Sequence, residues 1–364
     1  MKTPEERLRQ RIENDGPLPF AEFMEEALYG EGGYYATLTP RIGPEGDFVT
    51  GSSLSPLFGR STARLLSRMA SQLGSPADLL EAGYGDGSHL RAVLGAGLEP
   101  KPGRVLAWDR VQRALPEGVV AVGELSELDS DPLRGVVFSY ELLDALPVHR
   151  LRLSPEGGWE ELHVALASDG SFDWAPLALA RNDLPDLLGT EAADVEPGQI
   201  IDLAPGWGPL YRQLAGTLER GLLVTCDYGF ERPRLLDARV RRHGTLACHR
   251  KHTVHRNPFV DVGTQDLTAH VDFTALIEEG EAAGLETLGL VSQAEWLGAC
   301  GVFDDLAAAD QTTRLAAAQL MNPAGMGTEI RVLVQGRGVD AGALFDLDLG
   351  EKLDEKKGSP FGSA

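Results

Sequence analysis

This sequence of 364 residues is poor in cysteine and in basic side chains. Its three cysteines, Cys226, Cys248 and Cys300, stand far apart and form no C-x-x-C pair, so we expect a reducing cytoplasm and neither a disulfide framework nor a thiolate zinc site. The 33 lysines and arginines face 55 aspartates and glutamates, which gives a formal net charge of −22. Such acidity argues against general nucleic-acid binding and against docking on anionic lipid, since both need a basic footprint.

Long apolar runs are also missing. No stretch approaches the roughly 18 apolar residues of a membrane span, and residues 1–16 lack the apolar core of a signal peptide, so we expect neither segment. The hydrophobic fraction of 43% and the charged fraction of 24% are ordinary for a globular protein with a sizeable core.

What the sequence does contain is an alternation of short apolar runs with helix signals. We predict strands at 78–82, 105–108, 119–122 and 136–140, a helix from about Gly87, and a helical stretch after Trp108 through Gln112. This alternation predicts an α/β fold with a parallel, doubly wound sheet of the Rossmann type and helices on both faces. Further predicted elements are helices at 3–14, 20–29, 55–73, 209–220 and 272–283, a hairpin at 155–158, and strands at 222–226 and 330–334.

The length suits one large domain or two coupled ones. Because later strands return to the sheet, we predict one α/β domain over 75–350, with segments inserted at about 148–200 and 230–271. Residues 1–74 would form an N-terminal helical and loop region, and residues 351–364 a flexible tail.

The first predicted sheet strand leads into a glycine-rich loop, EAGYGDGS at 81–88. Gly83, Gly85 and Gly87 allow tight turns without a Cβ facing a ligand, and the next helix can direct backbone N–H groups at that ligand. A dinucleotide fingerprint would need glycine at Ser88, which disfavours a nicotinamide-dependent oxidoreductase. The pattern G-x-G-x-G after Glu81 is that of class I S-adenosylmethionine methyltransferases, in which the acid helps to bind the cofactor's ammonium group.

The second predicted strand ends in Asp109, roughly 20 residues beyond the loop. An acid here can accept hydrogen bonds from both ribose hydroxyls, so we predict an adenosyl-binding site at this edge. Asp47 and Thr50 lie in a glycine-flanked segment that we predict to fold over the cofactor, with plain loop structure as the alternative.

Two carboxylates, Glu141 and Asp144, follow the fourth strand, at the edge where open α/β sheets bind ligands. Three residues apart, they would share one face of a helical turn. Converging carboxylates can hold a guanidinium and localise its charge, which leaves one nitrogen able to attack a sulfonium methyl. The structural alternative is that Glu141 caps a helix and Asp144 pairs with a nearby arginine.

Histidines offer weaker signals. His270, between Asp266 and Asp272, could accept the proton of the methylated nitrogen, or be a structural histidine bonded to Asp272 or to a backbone carbonyl. The histidines that recur every third residue from 249 to 255 cannot easily converge and have no thiolate beside them, so no metal site is predicted. Residues 231–256 are locally basic; without interleaved aromatics they favour a solvated surface or partners for carboxylates over a nucleic-acid site.

Taken in order, the motifs resemble those of the MidA-like family of S-adenosylmethionine-dependent methyltransferases, over nearly the whole chain. The similar segments are GPLPF at 16–20, GYY at 33–35, GDFVT at 46–50, SPLFG at 55–59, the glycine loop, ELLDALP at 141–147, DYG at 227–229, GTL at 244–246, DLTAHVDF at 266–273 and MNPAGMG at 321–327. The resemblance implies a Rossmann-like fold, S-adenosylmethionine as cofactor and a protein substrate methylated on arginine. Mitochondrial members of the family assist complex I assembly.

Three places differ from the family pattern. Tyr140, which we assign to the cofactor-binding residues, stands where the family has asparagine; Ser52 and Ser53 replace a Pro-Glu pair; and Tyr84 replaces a proline or alanine. A second hypothesis is therefore an assembly factor or scaffold that binds the cofactor with little turnover. A homodimer is left open.

Overall fold

The computed structural model describes residues 2–36, 51–251, 253–307 and 309–345, without the side chains of residues 52 and 53. Asp47, Thr50 and the predicted tail at 351–364 lie outside the described residues. The chain divides into two compact units. The sheet unit comprises Val49–Leu142, Leu210–Tyr228 and Leu276–Ala364, and the insert unit comprises Met1–Phe48, Leu143–Pro209 and Gly229–Ala275.

The sheet unit contains a mostly parallel sheet. In spatial order its strands are Glu286–Ser292, Ile330–Arg337, Leu218–Phe230, Leu133–Tyr140, Asp78–Ala82, Val105–Trp108 and Val120–Ala121. The last five run parallel to one another, whereas Ile330–Arg337 is antiparallel to the strands on both sides. The central strands are continuous buried apolar runs, as expected for a sheet covered on both faces. The predicted Rossmann-like fold is confirmed.

Of the helices of the sheet unit, the sequence predicted Pro56–Leu73, Ser88–Leu94, Trp207–Gly216 and Phe273–Ala282, but not the others. The helices are Gly51–Leu54, Pro56–Leu73, Ser88–Leu94, Trp207–Gly216, Phe273–Ala282, Gln293–Ala299, Val302–Ala307, Gln311–Leu320 and Met326–Glu329, with 3-10 turns at Leu125–Leu128 and Ala341–Ala343. The helix Pro56–Leu73 begins where Ser55 Oγ accepts the N–H of Leu57 and ends at Gly74 in the left-handed conformation. A Cβ on Gly59 would lie 2.4 Å from the Cβ of Ala92, so this helix packs directly on the helix after the glycine loop.

Some predicted boundaries are wrong. Residues 109–113 form no helix, because Asp109 Oδ1 accepts the N–H of Val111 and the Tyr84 hydroxyl engages both the N–H and the carbonyl of Arg113. The helix predicted at 209–220 ends at Gly216, because Leu218 already belongs to a sheet strand. The fourth strand, predicted to begin at residue 136, begins at Leu133 and runs through Gly135.

The insert unit is mainly antiparallel. One sheet joins Leu18–Pro19, Trp159–Leu166, His149–Leu153 and Ile200–Leu203, with Phe172–Leu177 also paired to Trp159–Leu166, and a smaller one joins Thr253–His255, Ala247–Arg250 and Asp266–Thr268. Its remaining elements are the helices Pro4–Asp15, Phe20–Tyr29, Arg232–Leu235 and Ala238–Arg241, the 3-10 segment Leu184–Asp194, and the short strand Val271–Asp272. The predicted helix at 3–14 begins with a capping box of Thr3 and Glu6, and the predicted hairpin is present.

Candidate active site

Neighbouring parallel strands of the sheet unit end together at one edge. Ala82 pairs with both Trp108 and Ser139, and Tyr140 pairs with Cys226. The strand order reverses here, and at such a switch point open α/β sheets bind ligands. The residues at this edge are the predicted set Glu81, Gly83, Gly85, Gly87, Asp109, Tyr140 and Glu141, together with Asp227.

The glycine loop turns through three left-handed residues. Gly83, Gly85 and Gly87 have φ values of 75°, 54° and 73°, which residues with a Cβ rarely adopt. A Cβ on Gly83 would also lie 2.8 Å from Leu142 Cδ1. The loop therefore lies in contact with the segment that follows Tyr140.

Glu81 is buried and fixed by a partner that the sequence interpretation missed. Its Oε2 lies 2.9 Å from Nδ1 of His89, whose Nε2 lies 3.0 Å from the hydroxyl of Thr62. That hydroxyl donates to the carbonyl of Phe58 at 3.3 Å, so it accepts from Nε2, and Nδ1 shares a second proton with Glu81. The only sequence signal for this contact was the place of His89 in the first turn after the loop.

Asp109 links the second strand to the glycine loop. Its Oδ2 accepts the N–H of Gly85 at 3.0 Å and its Oδ1 accepts the N–H of Val111 at 2.9 Å. Burial raises the pKa of Asp109, although these hydrogen bonds and the charges of Arg113 and Arg110 act in the opposite direction. A carboxylate has about four acceptor positions, so each oxygen keeps capacity for a hydroxyl donor.

Tyr140 is buried, and its hydroxyl has protein partners. It donates to Oε1 of Gln293 at 2.6 Å and hydrogen-bonds to the backbone of Gly51, while its ring packs edge-on against Phe58. A Cβ on Gly51 would lie 2.1 Å from the Tyr140 oxygen, so this position needs glycine. The assignment of Tyr140 to the cofactor stays a prediction.

Glu141 occupies a conformation that is costly for a residue with a side chain. Its φ is 49°, and its N–H is bonded to the Cys226 carbonyl at 2.9 Å. The next N–H, of Leu142, goes to Oδ2 of the fully buried Asp227 at 3.2 Å. Two strand ends thus hold this turn in place, and Asp227 is a positioning residue for it.

The prediction that Glu141 and Asp144 share a helical face is wrong. Residues 141–146 form bends and a turn closed by the Leu146 N–H on the Leu143 carbonyl, because Glu141 leaves the helical region of backbone conformation. The division between the units falls after Leu142, so Glu141 belongs to the sheet unit and Asp144 to the insert unit.

Within the insert unit, Asp144 is buried beside a group of tyrosines. Burial, Asp266, Tyr29 and Asp144 together raise the pKa of Tyr35 well above its usual value. The Tyr35 hydroxyl donates to Oδ1 of Asp266 at 2.9 Å, and its ring stacks on that of Tyr29. Tyr35 of the family motif at 33–35 is thus close enough to interact electrostatically with the predicted site residue Asp144, which sequence spacing alone did not show.

His270, also in the insert unit, lines a small cavity of about 20 Å³. Its Nδ1 is buried and has no hydrogen-bond partner among the described residues. Asp272 instead accepts from Nε of Arg232 at 2.7 Å and from the first N–H groups of the helix Phe273–Ala282. The predicted bond between His270 and Asp272 is therefore wrong, and a catalytic role for His270 stays a prediction.

The protonation of His270 should make stability depend on pH. Burial and the charges of Arg241, Arg256 and Arg234 lower the pKa of His270 from 6.5 to about 4, against the opposing charge of Asp202. Between pH 4 and pH 6.5 the unfolded chain then binds more protons than the folded chain. The contribution of neutral His270 to the free energy of unfolding is therefore fully present above pH 6.5 and is lost as pH falls towards 4. At pH 5 we expect a loss of about 2 kcal/mol relative to pH 8.

Thermal unfolding at a series of pH values measures this loss in the wild type and in His270→Gln. The variant should lose less stability between pH 8 and 5, while His243→Gln, at an exposed histidine of the same unit, should follow the wild type. Parallel curves of stability against pH for all three proteins would contradict the assignment of this pH dependence to His270.

No group of three or more histidine, cysteine or acidic side chains in the described ranges is arranged to hold a metal ion. His249 contacts the Thr268 hydroxyl through Nε2, and His255 Nδ1 accepts the N–H of Asn257; position 252 lies outside the description. No helix in the described part of the chain is both long and apolar enough to cross a membrane.

The arrangement fits S-adenosylmethionine. Asp109 has acceptor capacity for ribose hydroxyls at the end of the second strand, the glycine loop presents backbone without Cβ atoms, and Glu81 stands at the end of the first strand. This sheet order, with a glycine loop and acids at successive strand ends, defines a class I S-adenosylmethionine-dependent methyltransferase.

Comparison with known proteins gives the family. Residues 108–291 match the family described as "Putative S-adenosyl-L-methionine-dependent methyltransferase". A crystal structure of a "likely methyl transferase" from Burkholderia thailandensis bound to S-adenosyl-homocysteine is similar with a TM-score of 0.83 and 30% identity, over 93% of this chain and 92% of the other. The chain belongs to this family, the MidA-like methyltransferases, and its cofactor is S-adenosylmethionine.

Curated relatives are more distant in sequence. The mitochondrial protein arginine methyltransferase NDUFAF7 homolog of Drosophila melanogaster is 28% identical, over 93% of this chain and 86% of its own length. The mitochondrial protein arginine methyltransferase NDUFAF7 of Homo sapiens is 26% identical, over 81% of this chain and 72% of its own length.

Proposed function

We propose that this methyltransferase modifies an arginine nitrogen of a partner protein. The observation that carries the proposal is Glu141, which is held in a strained conformation at the strand edge where Leu142 contacts the glycine loop. Strain of this kind is retained where the surrounding structure enforces it, and it often marks a functional site. The names of the curated relatives support arginine as the acceptor.

Each residue of the site then has a role in binding the cofactor or the acceptor. Glu81, the glycine loop and Asp109 hold the cofactor, which supplies a methyl group on a positively charged sulfur when it is bound. Glu141 holds the acceptor guanidinium by charge-assisted hydrogen bonds and keeps its positive charge on the nitrogens that do not react. A catalytic role for Asp144 is proposed separately, and Asp47, Thr50 and Tyr140 are proposed as further cofactor contacts.

The experiment has two stages. Isothermal titration with S-adenosylmethionine and S-adenosyl-homocysteine tests the cofactor site, and absent binding of both would contradict it. Transfer of tritiated methyl groups into a lysate from cells that lack the protein, followed by amino-acid analysis, tests the acceptor. Label in methylated arginine supports the proposal, whereas label only in other residues would refute arginine as substrate.

A second candidate function is a cofactor-binding assembly factor with little turnover. Tyr140 favours it, because a buried phenol bonded to Gln293 replaces the asparagine typical of the family in front of Glu141. Cofactor binding with no label in any lysate protein would support this function. If Tyr140→Asn then produced label, the tyrosine itself would be the cause of the lost turnover.

We also propose a cytoplasmic location and a protein partner, and we keep a homodimer as an open alternative to a monomer. The three described cysteines are free and buried, which fits a reducing compartment. Cell fractionation tests the location, since the named curated relatives are mitochondrial proteins. Light scattering on the purified chain measures its oligomeric state.

A further inference from the structure

The basic segment 231–256 of the insert unit contains two kinds of arginine. Most of them have a carboxylate partner within ion-pair distance. These pairs are Arg232 with Asp272 and Glu191, Arg239 with Asp237, Arg242 with Glu196, and Arg250 with Asp261. The charges of these paired arginines are therefore neutralised, which is the structural role expected of the segment.

Arg234 and Arg241 are different. Both guanidinium groups lie over the ring of Phe230, with Cζ atoms 3.9 and 4.4 Å from its centroid. Nη1 of Arg241 also donates to the carbonyl of Arg234 at 2.9 Å. Neither guanidinium forms an ion pair with a carboxylate of the described residues, although Asp237 is close in sequence, because Asp237 is bonded to Arg239.

Two like charges are thus held close together. Burial and the charge of Arg234 lower the pKa of Arg241, with Asp237 opposing them. Contact with an aromatic face stabilises a cation by about 0.5–2 kcal/mol, which explains why one arginine covers Phe230 but not why a second stands beside it. An anion between them would remove the repulsion.

A third cation, Arg256, adds to this group. It is exposed, forms no ion pair among the described residues, and acts with Arg234 and Arg241 on His270, whose ring packs against Phe230. The buried Asp202, whose charge also acts on His270, is already engaged, because its oxygens accept from Arg150 Nε and from the N–H groups of residues 245 and 246. We call Arg234, Arg241 and Arg256 the arginine cluster.

We propose that the arginine cluster is a docking site for an acidic segment of the protein substrate. Guanidinium groups bind carboxylates in paired hydrogen bonds, and three of them match a short run of aspartates or glutamates. A long nucleic acid would need a larger basic surface and would be repelled by a net charge of −22. The inference rests on the proposed protein substrate and deepens it, since it names a chemistry of the substrate beyond the target arginine.

The test is fluorescence anisotropy of a labelled oligoglutamate peptide with the full chain at low salt. The wild type should bind the peptide, and added salt should weaken the complex. The variant Arg234→Gln/Arg241→Gln should bind about tenfold more weakly or worse, because two charge-assisted contacts are lost. The control Arg239→Gln/Arg242→Gln removes the same charge from paired arginines nearby and should change affinity less than about twofold.

Several outcomes would overturn the proposal: no peptide binding by the wild type, equal weakening in both double variants, or tighter binding of an oligouridylate than of oligoglutamate. If the glutamine variant fails to fold, Arg234→Lys/Arg241→Lys keeps the charge but not the paired geometry, and should show a smaller loss. Titration of every variant with S-adenosylmethionine separates this question from the proposed function. Unchanged cofactor binding with lost peptide binding confines the defect to docking.

Discussion

Glu141→Gln is expected to lower the rate of methyl transfer about a hundredfold or more, with cofactor affinity within about twofold of the wild type. The amide has nearly the same size as the carboxylate, so the strained turn after the strand Leu133–Tyr140 should form as before. What disappears is the negative charge that holds the acceptor guanidinium. The measurement is the initial rate of tritiated methyl incorporation at saturating cofactor, combined with isothermal titration of the same preparation.

The matched control is Glu117→Gln, which removes an exposed carboxylate of the same unit and should leave the rate unchanged. A rate for Glu141→Gln equal to that of the control would remove Glu141 from the acceptor site. A large loss of cofactor affinity would instead place Glu141 among the cofactor residues. Asp144→Asn, tested in the same way, shows whether the carboxylate of the insert unit has a comparable effect.

Asp109→Ala should weaken the binding of S-adenosyl-homocysteine by about tenfold to a hundredfold, since the net loss of about one charged hydrogen bond costs about 1.5–3 kcal/mol. The change removes both the proposed ribose acceptor and the anchor of the Gly85 and Val111 N–H groups. Titration calorimetry gives the affinity, and Asp129→Asn, at an exposed acid of the same unit, is the control.

The 2′-deoxy analogue of S-adenosyl-homocysteine separates these two effects. The wild type should prefer the natural ligand over the analogue, and Asp109→Ala should lose this preference. A variant that binds both ligands more weakly but keeps the preference would show that Asp109 shapes the loop without contacting the ribose.

Local signals predicted most of the sheet and the glycine loop at its edge. Asp78–Ala82 and Val105–Trp108 are apolar runs bounded by turn residues, and the structure has both strands as predicted. The glycine loop was visible because glycines recur where positive φ is needed. Ser55 and Pro56 likewise predicted the start of a helix, which begins and ends where expected.

Contacts between distant parts of the chain could not be predicted in this way. Tyr140 and Gln293 are 153 positions apart, and no pattern near either residue indicates the other. The non-helical turn at Glu141 depends on Cys226 and Asp227, which the neighbouring strand brings alongside it. Spacing alone therefore predicted a helical turn, whereas tertiary hydrogen bonds gave the chain a different path.

The buried row of Thr62, His89 and Glu81 also restricts how this protein can evolve. Two hydrogen bonds join the three side chains, so changing any one of them leaves a buried polar atom without its hydrogen-bond partner. This costs about 1–3 kcal/mol of stability. A lineage could leave the arrangement only through a less stable ancestor or by replacing two positions together. Homologues should therefore inherit the three residues as a set, so that a difference at position 89 is accompanied by one at 62 or 81.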